Sequence, residues 1–600
     1  MKLKTTLIAL FSYAFLFSQS FLEVQLPTPD KLSPLFIGSI IKSTIHYGAA
    51  PPNYNGKVII FNHGYIDLNQ GQFLFDNSFY EDTYNEGYQA VFVATTRGEG
   101  IWVNGKLLAE SIDIVTDKYN VPQVYLVGHS NGGKASEAAM FQYGKKDKVT
   151  KAFALGTPFW GTYLADISQM PWLNWAWRLT GLNEGARTST TYYCRDVVRP
   201  LLDNHPNNEP EKFVVLGASG FYKGSTLAAA AFLVTGGILF PIQGANDGVA
   251  PYSSTLRPGA EFVFEKNDSR AIFDHLDVGL GQFSWPYIKS YIENRAQKSN
   301  AILTKSNALS KIESDYYIIH SENEYDKIVL DKNSKYAVAE VLHQNPKATF
   351  SIFDANKNSK TFKSHTTQNH RTLISVIDDN LQLKSDSKFA AFIKQDNGIK
   401  MSFQQEKTEN HLKLKVAVYS SKKDVKLPKD IAVRGILVKT AELDGSLTQN
   451  ITQVIHFDQK NNLYYYDTKD LEDGVYSLFL NSESKGNFRR SIISGFTIGN
   501  IDKDIGVEEN KNSITPEKDK VQIVPNSIKN EAYLLINAKL LTNNLNLEIY
   551  DITGKLVKNW NQKTGSTTQY DISKHIQSLN PGIYLLKVNN LKTLKFVKNN

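Results

Sequence analysis

Val124-Tyr-Leu-Val-Gly-His-Ser-Asn-Gly-Gly133 is the stretch on which the reading of this chain turns. Four β-favouring residues run into Gly128-x-Ser130-x-Gly132, and Lys134-Ala-Ser-Glu-Ala-Ala-Met140 can continue as a helix. The pattern predicts a strand, a sharp turn and a helix, with Ser130 at the apex. A serine on such a bend needs small neighbours, because strand and helix nearly touch there; hence Gly128 and Gly132. The helix that starts after Ser130 would direct backbone N–H groups and positive dipole density toward an oxyanion formed at the bend. The alternative is a tight structural turn with an ordinary serine.

Outward from this point, strands alternate with helices. Lys57 to Phe61 reads as a buried parallel strand leading into His63-Gly64-Tyr65. Gln89 to Thr95 reads as the next strand, and Asn104 to Tyr119 as an amphipathic helix. Lys151 to Leu155, Phe213 to Gly217 and Glu261 to Phe264 follow as strands, and Trp285 to Ile292 as a last helix. Such alternation implies a mostly parallel sheet, whose ligands gather at the carboxyl ends of its strands. The N–H groups of Tyr65 and Asn131 are the expected oxyanion donors.

Two loops supply partners for the serine. Asp247 lies in Gly244-Ala-Asn-Asp-Gly-Val-Ala-Pro251, and His275 in Asp274-His-Leu-Asp277. A serine hydroxyl is a poor nucleophile at neutral pH until an imidazole accepts its proton, so His275 is the expected base. Asp247 would fix the tautomer of that imidazole and stabilise its cation. His205 is a rival base in a polar Asn-His-Pro-Asn-Asn loop, and Asp274 and Asp277 are rival acids, although a carboxylate adjacent in sequence seldom points at the ring.

The chain has 600 residues, which suggests three to five domains. Its net charge of +7 is spread through interleaved lysines and acids, without the basic stripe that nucleic-acid binding requires. Cys194 is the single cysteine, so no intrachain disulfide forms. Residues 1–20 join a basic start to a short apolar run and small residues, the pattern of a secretory signal peptide. Thr226 to Ile242, broken by Gly236-Gly237 and closed by Pro241, is too short for a membrane span and reads as a buried or lid-like helix. Met170 to Leu182 carries Trp172, Trp175 and Trp177, an apolar surface that fits either a lid over an acyl chain or a helix packed on the core.

From about Lys305 the helical periodicity gives way to short alternating runs such as His411 to Tyr419 and Val475 to Leu480. These predict two β-sandwich-like modules, 301–405 and 406–500, serving either to bind a polymer or surface or to provide spacing and stability. Residues 501–520 read as a linker. Residues 521–600 form a last small β-unit, with paired strands around Thr553-Gly554 and a second hairpin-like run from Leu579 to Val588.

Taken together, residues from about Pro51 to Ile292, within an expected catalytic domain of 21–300, resemble a bacterial triacylglycerol lipase or carboxylesterase of the α/β-hydrolase fold. The matching pieces are the His63-Gly64 loop, Gly128-His-Ser-Asn-Gly-Gly133, Leu155-Gly-Thr-Pro158, Asn246-Asp-Gly248 and His275-Leu-Asp277. The resemblance implies Ser130 as nucleophile, Asp247 as acid and His275 as base. Their chain order is that of this fold and not of other serine-triad folds. Some members bind calcium through an aspartate placed like Asp277 and a second one upstream of the acid loop; no aspartate lies between Gly217 and Gly244, so no metal is expected. Residues 521–600 resemble the carboxyl-terminal sorting domain of type IX secretion, with Val524-Pro-Asn-Ser527 in place of the usual Tyr-Pro-Asn-Pro. That resemblance implies the secretion machinery as a partner and a secreted or cell-surface location. The expectation is a secreted serine ester hydrolase acting on lipid or polyester through an acyl-enzyme. The alternatives are a surface-binding protein with an inactive hydrolase domain and an acyltransferase using the same residues.

Overall fold

The computed structural model describes the chain from Phe21 onward, except 32–43, 65–76, 97–98, 177–183, 227, 266–267, 296–310, 322–326, 507–520, 537–543 and short stretches in the β-rich half and at the end. The expected signal peptide, Tyr65, Trp177 and most of the expected linker lie outside the described residues.

Eight strands form one sheet: β1 (Leu22–Gln25), β2 (Thr44–Tyr47), β3 (Val58–Asn62), β4 (Gln89–Ala94), β5 (Val124–His129), β6 (Val149–Leu155), β7 (Phe213–Leu216) and β8 (Glu261–Phe262), in the order β1-β2-β4-β3-β5-β6-β7-β8. Only the β2–β4 pairing is antiparallel. The central strands read Val-Ile-Ile-Phe, Val-Tyr-Leu-Val and Ala-Phe-Ala-Leu because they are covered on both faces. The order reverses direction at β3, next to β5, which places the mouth of the sheet at the end of β5.

The chain also forms helices α1 (Phe79–Asn85), α2 (Ile101–Tyr119), α3 (Asn131–Phe141), α4 (Tyr163–Ser168), α5 (Ala229–Gln243) and α6 (Gly281–Ile292), of which α1, α2, α3 and α6 cover the two faces of the sheet and α4 and α5 pack in a separate core. One core packs α2 and α3 against the sheet through Leu108, Ile112, Val115, Ala135 and Ala139. The other packs α1 and α6 through Phe79, Trp285 and Ile288 against Phe61, Phe92 and Phe153. At about 1.5–3 kcal/mol for each large apolar side chain removed from water, these two layers fix the sheet from which the loops project.

The stretch read as a buried or lid-like helix is α5, apolar on all its faces. Among the described residues, no helix is long and apolar enough to cross a membrane. Trp172 and Trp175 sit in a 3-10 segment, Pro171–Ala176, with Trp172 buried.

The β-rich region forms two sandwich-like modules, each of two sheets. The first holds strands between Tyr316 and Gln395; the second holds strands from Ile399 to Ile498 together with Lys311–Ser314. The boundary expected near Glu406 falls inside the strand Ile399–Lys407, which pairs along its length with Leu412–Ser420. The break lies instead before Ile399, where Asn397-Gly398 turns the chain. Alternation of period two runs through both modules without interruption, so periodicity alone does not locate it.

Residues 508–600 are a separate compact unit. Its three-stranded and five-stranded sheets bury Leu534, Leu547, Ile549, Ile572 and Leu586 in a core of their own.

Candidate active site

The bend after β5 is as tight as its residue types demand. Ser130 has φ 55° and ψ −129°, a region that non-glycine residues rarely adopt and that costs on the order of 1–3 kcal/mol. Its N–H donates to the Leu155 carbonyl at 2.8 Å, fastening the strained residue to β6. A Cβ on Gly132 would stand 2.6 Å from the Asn62 carbonyl oxygen, and one on Gly128 would stand 2.7 Å from the Gly132 carbonyl. Neither position accepts a side chain, so Gly128 is required where β5 meets α3 and Gly132 where α3 meets the end of β3, on either side of the serine.

Ser130, Asp247 and His275, 145 residues apart at the widest, converge at the carboxyl ends of β5 and its neighbours. His275 Nε2 lies 3.0 Å from Ser130 Oγ, and His275 Nδ1 lies 2.8 Å from Asp247 Oδ2. The other oxygen of Asp247 accepts the N–H groups of Val249 and Ala250 at 2.9 and 2.6 Å, and the Asp247 carbonyl accepts the N–H of His275 at 2.8 Å. Held by its own loop, the carboxylate selects the tautomer with a proton on Nδ1 and leaves the Nε2 lone pair to the serine. All three side chains are buried.

The rival groups point elsewhere. His205 Nδ1 accepts the N–H of Asn207 within its own loop. Asp274 turns back on its turn, accepting the N–H groups of Leu276 and Asp277, and burial pushes its pKa up to about 6. Asp277 accepts the N–H and hydroxyl of Ser225.

Asn131 is the first residue of α3, so its N–H has no intrahelical acceptor and is available at the bend. Gly64, at the end of the β3 loop, lies so close that a Cβ there would come 2.6 Å from the Ser130 Cβ. The backbone of the loop holding the other expected donor therefore passes beside the serine, while Tyr65 itself is outside the described residues.

Two histidines brace this arrangement, and sequence reading assigned neither a part. His129 Nε2 donates to the His275 carbonyl at 2.6 Å, tying the bend to the imidazole's loop; burial drives the His129 pKa well down, so the ring is neutral. His63 Nε2 accepts the Thr95 N–H at 3.1 Å while Nδ1 donates to the Gly64 carbonyl, fixing the β3 loop. The signal available was their adjacency to Ser130 and Gly64.

An apolar wall closes the site. Phe232 of α5 meets the His275 ring edge to face at 6.0 Å and packs with Val249 and Leu276. The hydroxyl of Thr235 donates to the Gly248 carbonyl, seating α5 on the Asp247 loop. Val234, Ile238 and Leu239 of the same helix join Trp172 and Leu164 in a core shared with Tyr316, Ile318, Phe392, Phe479 and Ile493 of the β-modules. The cap over the site is thus held between the serine and the modules.

Residues 80–171 match the family model described as an alpha/beta hydrolase of unknown function, and residues 522–599 match that of the secretion system C-terminal sorting domain. A Bacillus licheniformis lipase in its propeptide form superposes with a TM-score of 0.51 at 19% identity, over 76% of this chain and 97% of that one. The mature form of that lipase gives a TM-score of 0.37 at 23% identity, over 41% and 97%. Lipase B of Aspergillus fumigatus gives 0.17 at 17%, over 20% and 29%. No curated protein sequence matches the chain. The first of these likenesses shows the fold: an α/β-hydrolase domain with a mostly parallel sheet, followed by antiparallel β-sheets. The carboxyl-terminal match makes the last residues a type IX sorting domain.

Proposed function

We propose that this α/β-hydrolase, carrying a sorting domain for type IX secretion, is a secreted serine ester hydrolase that cleaves carboxylic esters with an apolar acyl group. The observation that carries the reading is the serine at positive φ with a histidine nitrogen 3.0 Å from its hydroxyl and a loop-bound carboxylate 2.8 Å behind that ring.

The chemistry follows from those contacts. His275 takes the proton of Ser130 as Oγ attacks the ester carbonyl, and Asp247 stabilises the imidazolium so formed. The tetrahedral oxyanion is met by the Asn131 N–H, at the positive end of α3, and by the N–H of Tyr65. Collapse expels the alcohol, which takes the proton from His275; water then loses a proton to the same ring as it attacks the acyl carbon, and the ring returns that proton to Ser130 Oγ as the acid leaves. Phe232, Val249 and Leu276 beside the imidazole offer the acyl group an apolar wall and keep stray water from the ring. The type IX sorting domain supports a cell-surface or extracellular location for this activity.

The test is hydrolysis of p-nitrophenyl esters of short, medium and long acyl chains by the full-length protein and by Ser130→Ala. A loss of about 10³-fold or more in kcat is expected in the variant, and the chain-length optimum separates esterase from lipase. Equal turnover by both proteins, or none of any ester, would overturn the assignment in favour of a surface-binding protein.

A further inference from the structure

Helix α3 carries a cation where burial is costly. Lys134, one turn beyond Ser130, is 0% exposed. Its ammonium donates to the Thr188 carbonyl at 3.0 Å and to Ser189 Oγ at 2.7 Å, and lies 3.6 Å from Cys194 Sγ. None of these partners is a carboxylate. The nearby carboxylate, Glu137 on the next turn, is engaged by Arg199 and Arg257. A buried ammonium with no carboxylate of its own among the described residues is expensive, and at this position a leucine or methionine would pack without that cost.

The hydrogen bonds run in one direction. An ammonium only donates, so Ser189 Oγ accepts from Lys134 and its own proton goes to Asn131 Oδ1, 2.6 Å away. Asn131 is the residue whose N–H stands at the bend. Ser189 also ends the segment Glu184–Ser189, and its carbonyl accepts the N–H of Thr162 at 3.0 Å, at the start of α4. A fixed charge, a hydroxyl and an amide thus form a series that ends at the expected oxyanion donor and is anchored in the cap.

We infer that Lys134 and Ser189 are positioning residues for the oxyanion, Lys134 orienting the Ser189 hydroxyl, which pins the Asn131 side chain so that its backbone N–H stays aimed at the tetrahedral intermediate. This rests on the serine ester hydrolase reading and deepens it. The ammonium adds positive potential to the helix end at which negative charge develops, and this matters in the transition state more than in the ground state. A residue of this kind changes kcat and leaves KM nearly alone.

The experiment begins by titrating the full-length protein with a fluorophosphonate. Failure of the wild type to label at Ser130 would overturn the hydrolase reading itself. With labelled sites counted, kcat and KM for p-nitrophenyl butyrate are compared among wild type, Ser189→Ala, Ser189→Thr, Lys134→Met and the double variant Lys134→Met with Ser189→Ala. Expected are a kcat lower by about 10-fold in Ser189→Ala and about 10- to 100-fold in Lys134→Met, KM within about twofold, recovery in Ser189→Thr, and a double variant no slower than Lys134→Met, since the two act in series. Wild-type kcat in folded Ser189→Ala, a Ser189→Thr as slow as the alanine variant, or losses that multiply would overturn the inference. Where Lys134→Met does not fold, the Ser189 pair decides the matter alone.

Discussion

Residues 311–498 and residues 521–598 look alike as sequence: short alternating strands, turn residues between them, no helix of consequence. They differ in what covers their faces. In the modules, Tyr316, Ile318, Phe392, Phe479 and Ile493 are buried together with Trp172, Leu164, Ile238 and Leu239 of the hydrolase cap. The carboxyl-terminal sheets bury their apolar residues against one another. The modules are therefore part of the hydrolase unit's core, and the sorting domain is a compact unit of its own. Polar contacts repeat the point: Tyr192 bonds to the Ser477 hydroxyl, Tyr193 donates to the Leu443 carbonyl at 2.9 Å, and Arg195 donates to the Gly495 carbonyl at 3.1 Å. This shared burial is what the stabilising role expected from sequence requires: the modules pack against the cap as its outer wall.

The largest expected effect that tests this contrast comes from Trp172. It stacks on His320 at 4.1 Å and leans on Phe479 at 5.1 Å, joining the cap to both modules. Trp172→Ala should cost about 3–5 kcal/mol, read as a lower midpoint for the hydrolase and modules together in denaturant. Leu547→Ala, fully buried in the sorting domain, should cost about 2–5 kcal/mol in a separate transition and leave the larger one in place. A single transition lowered by both variants would break the contrast.

Much of the fold was legible because its signals are local. Apolar strands of four to seven residues between turn clusters located β3 to β7 to within a few residues, and Gly128 and Gly132 announced the bend. Ser130, Asp247 and His275 were legible as an ordered set, and the structure brings them together. Asn131 stands where an oxyanion donor would; Tyr65 lies outside the described residues. What was not legible depends on contacts between distant segments. Nothing near Trp172 says that His320 and Phe479 will meet it. Lys134 reads as a solvated residue on a helix, and only the return of Thr188, Ser189 and Cys194 over α3 shows it buried.

A second, smaller test concerns Asp166 of α4, inside the cap. Its carboxyl is buried, bonded to the Thr191 N–H and hydroxyl at 2.7 and 2.6 Å, and burial pushes its pKa from 3.8 up to about 7 against those bonds and the Arg195 charge. A pKa raised in the folded state means that the unfolded chain ionises first. The stabilisation is therefore full below pH 4, declines as pH rises, and is gone once pH passes about 7. The Tm should carry this fall between about pH 4 and 7, and Asp166→Asn should remove that part of the slope. An unchanged slope in the variant would mean that the cap is open enough to solvate the carboxylate.

The smallest effect tests whether the polar seam between cap and modules adds stability or only avoids loss. Tyr163 of α4 and Tyr316 of the first module face each other with hydroxyls 2.7 Å apart, both buried. Tyr163→Phe removes one partner of the Tyr316 hydroxyl and leaves it with its Ser314 hydrogen bond, which should cost about 0.5–1.5 kcal/mol. Tyr316→Phe should cost a similar amount for the same reason. With both replaced, no hydroxyl is left short of a partner across the seam and the rings still pack, so the double variant should recover part of the loss and the cycle should show a coupling of about 1 kcal/mol. Costs that simply add would mean that each hydroxyl is satisfied from its own side, and that apolar packing alone joins the cap to the modules. Coupling of the expected size would make the pair a device of specificity, one that penalises any displacement of the cap separating the two oxygens.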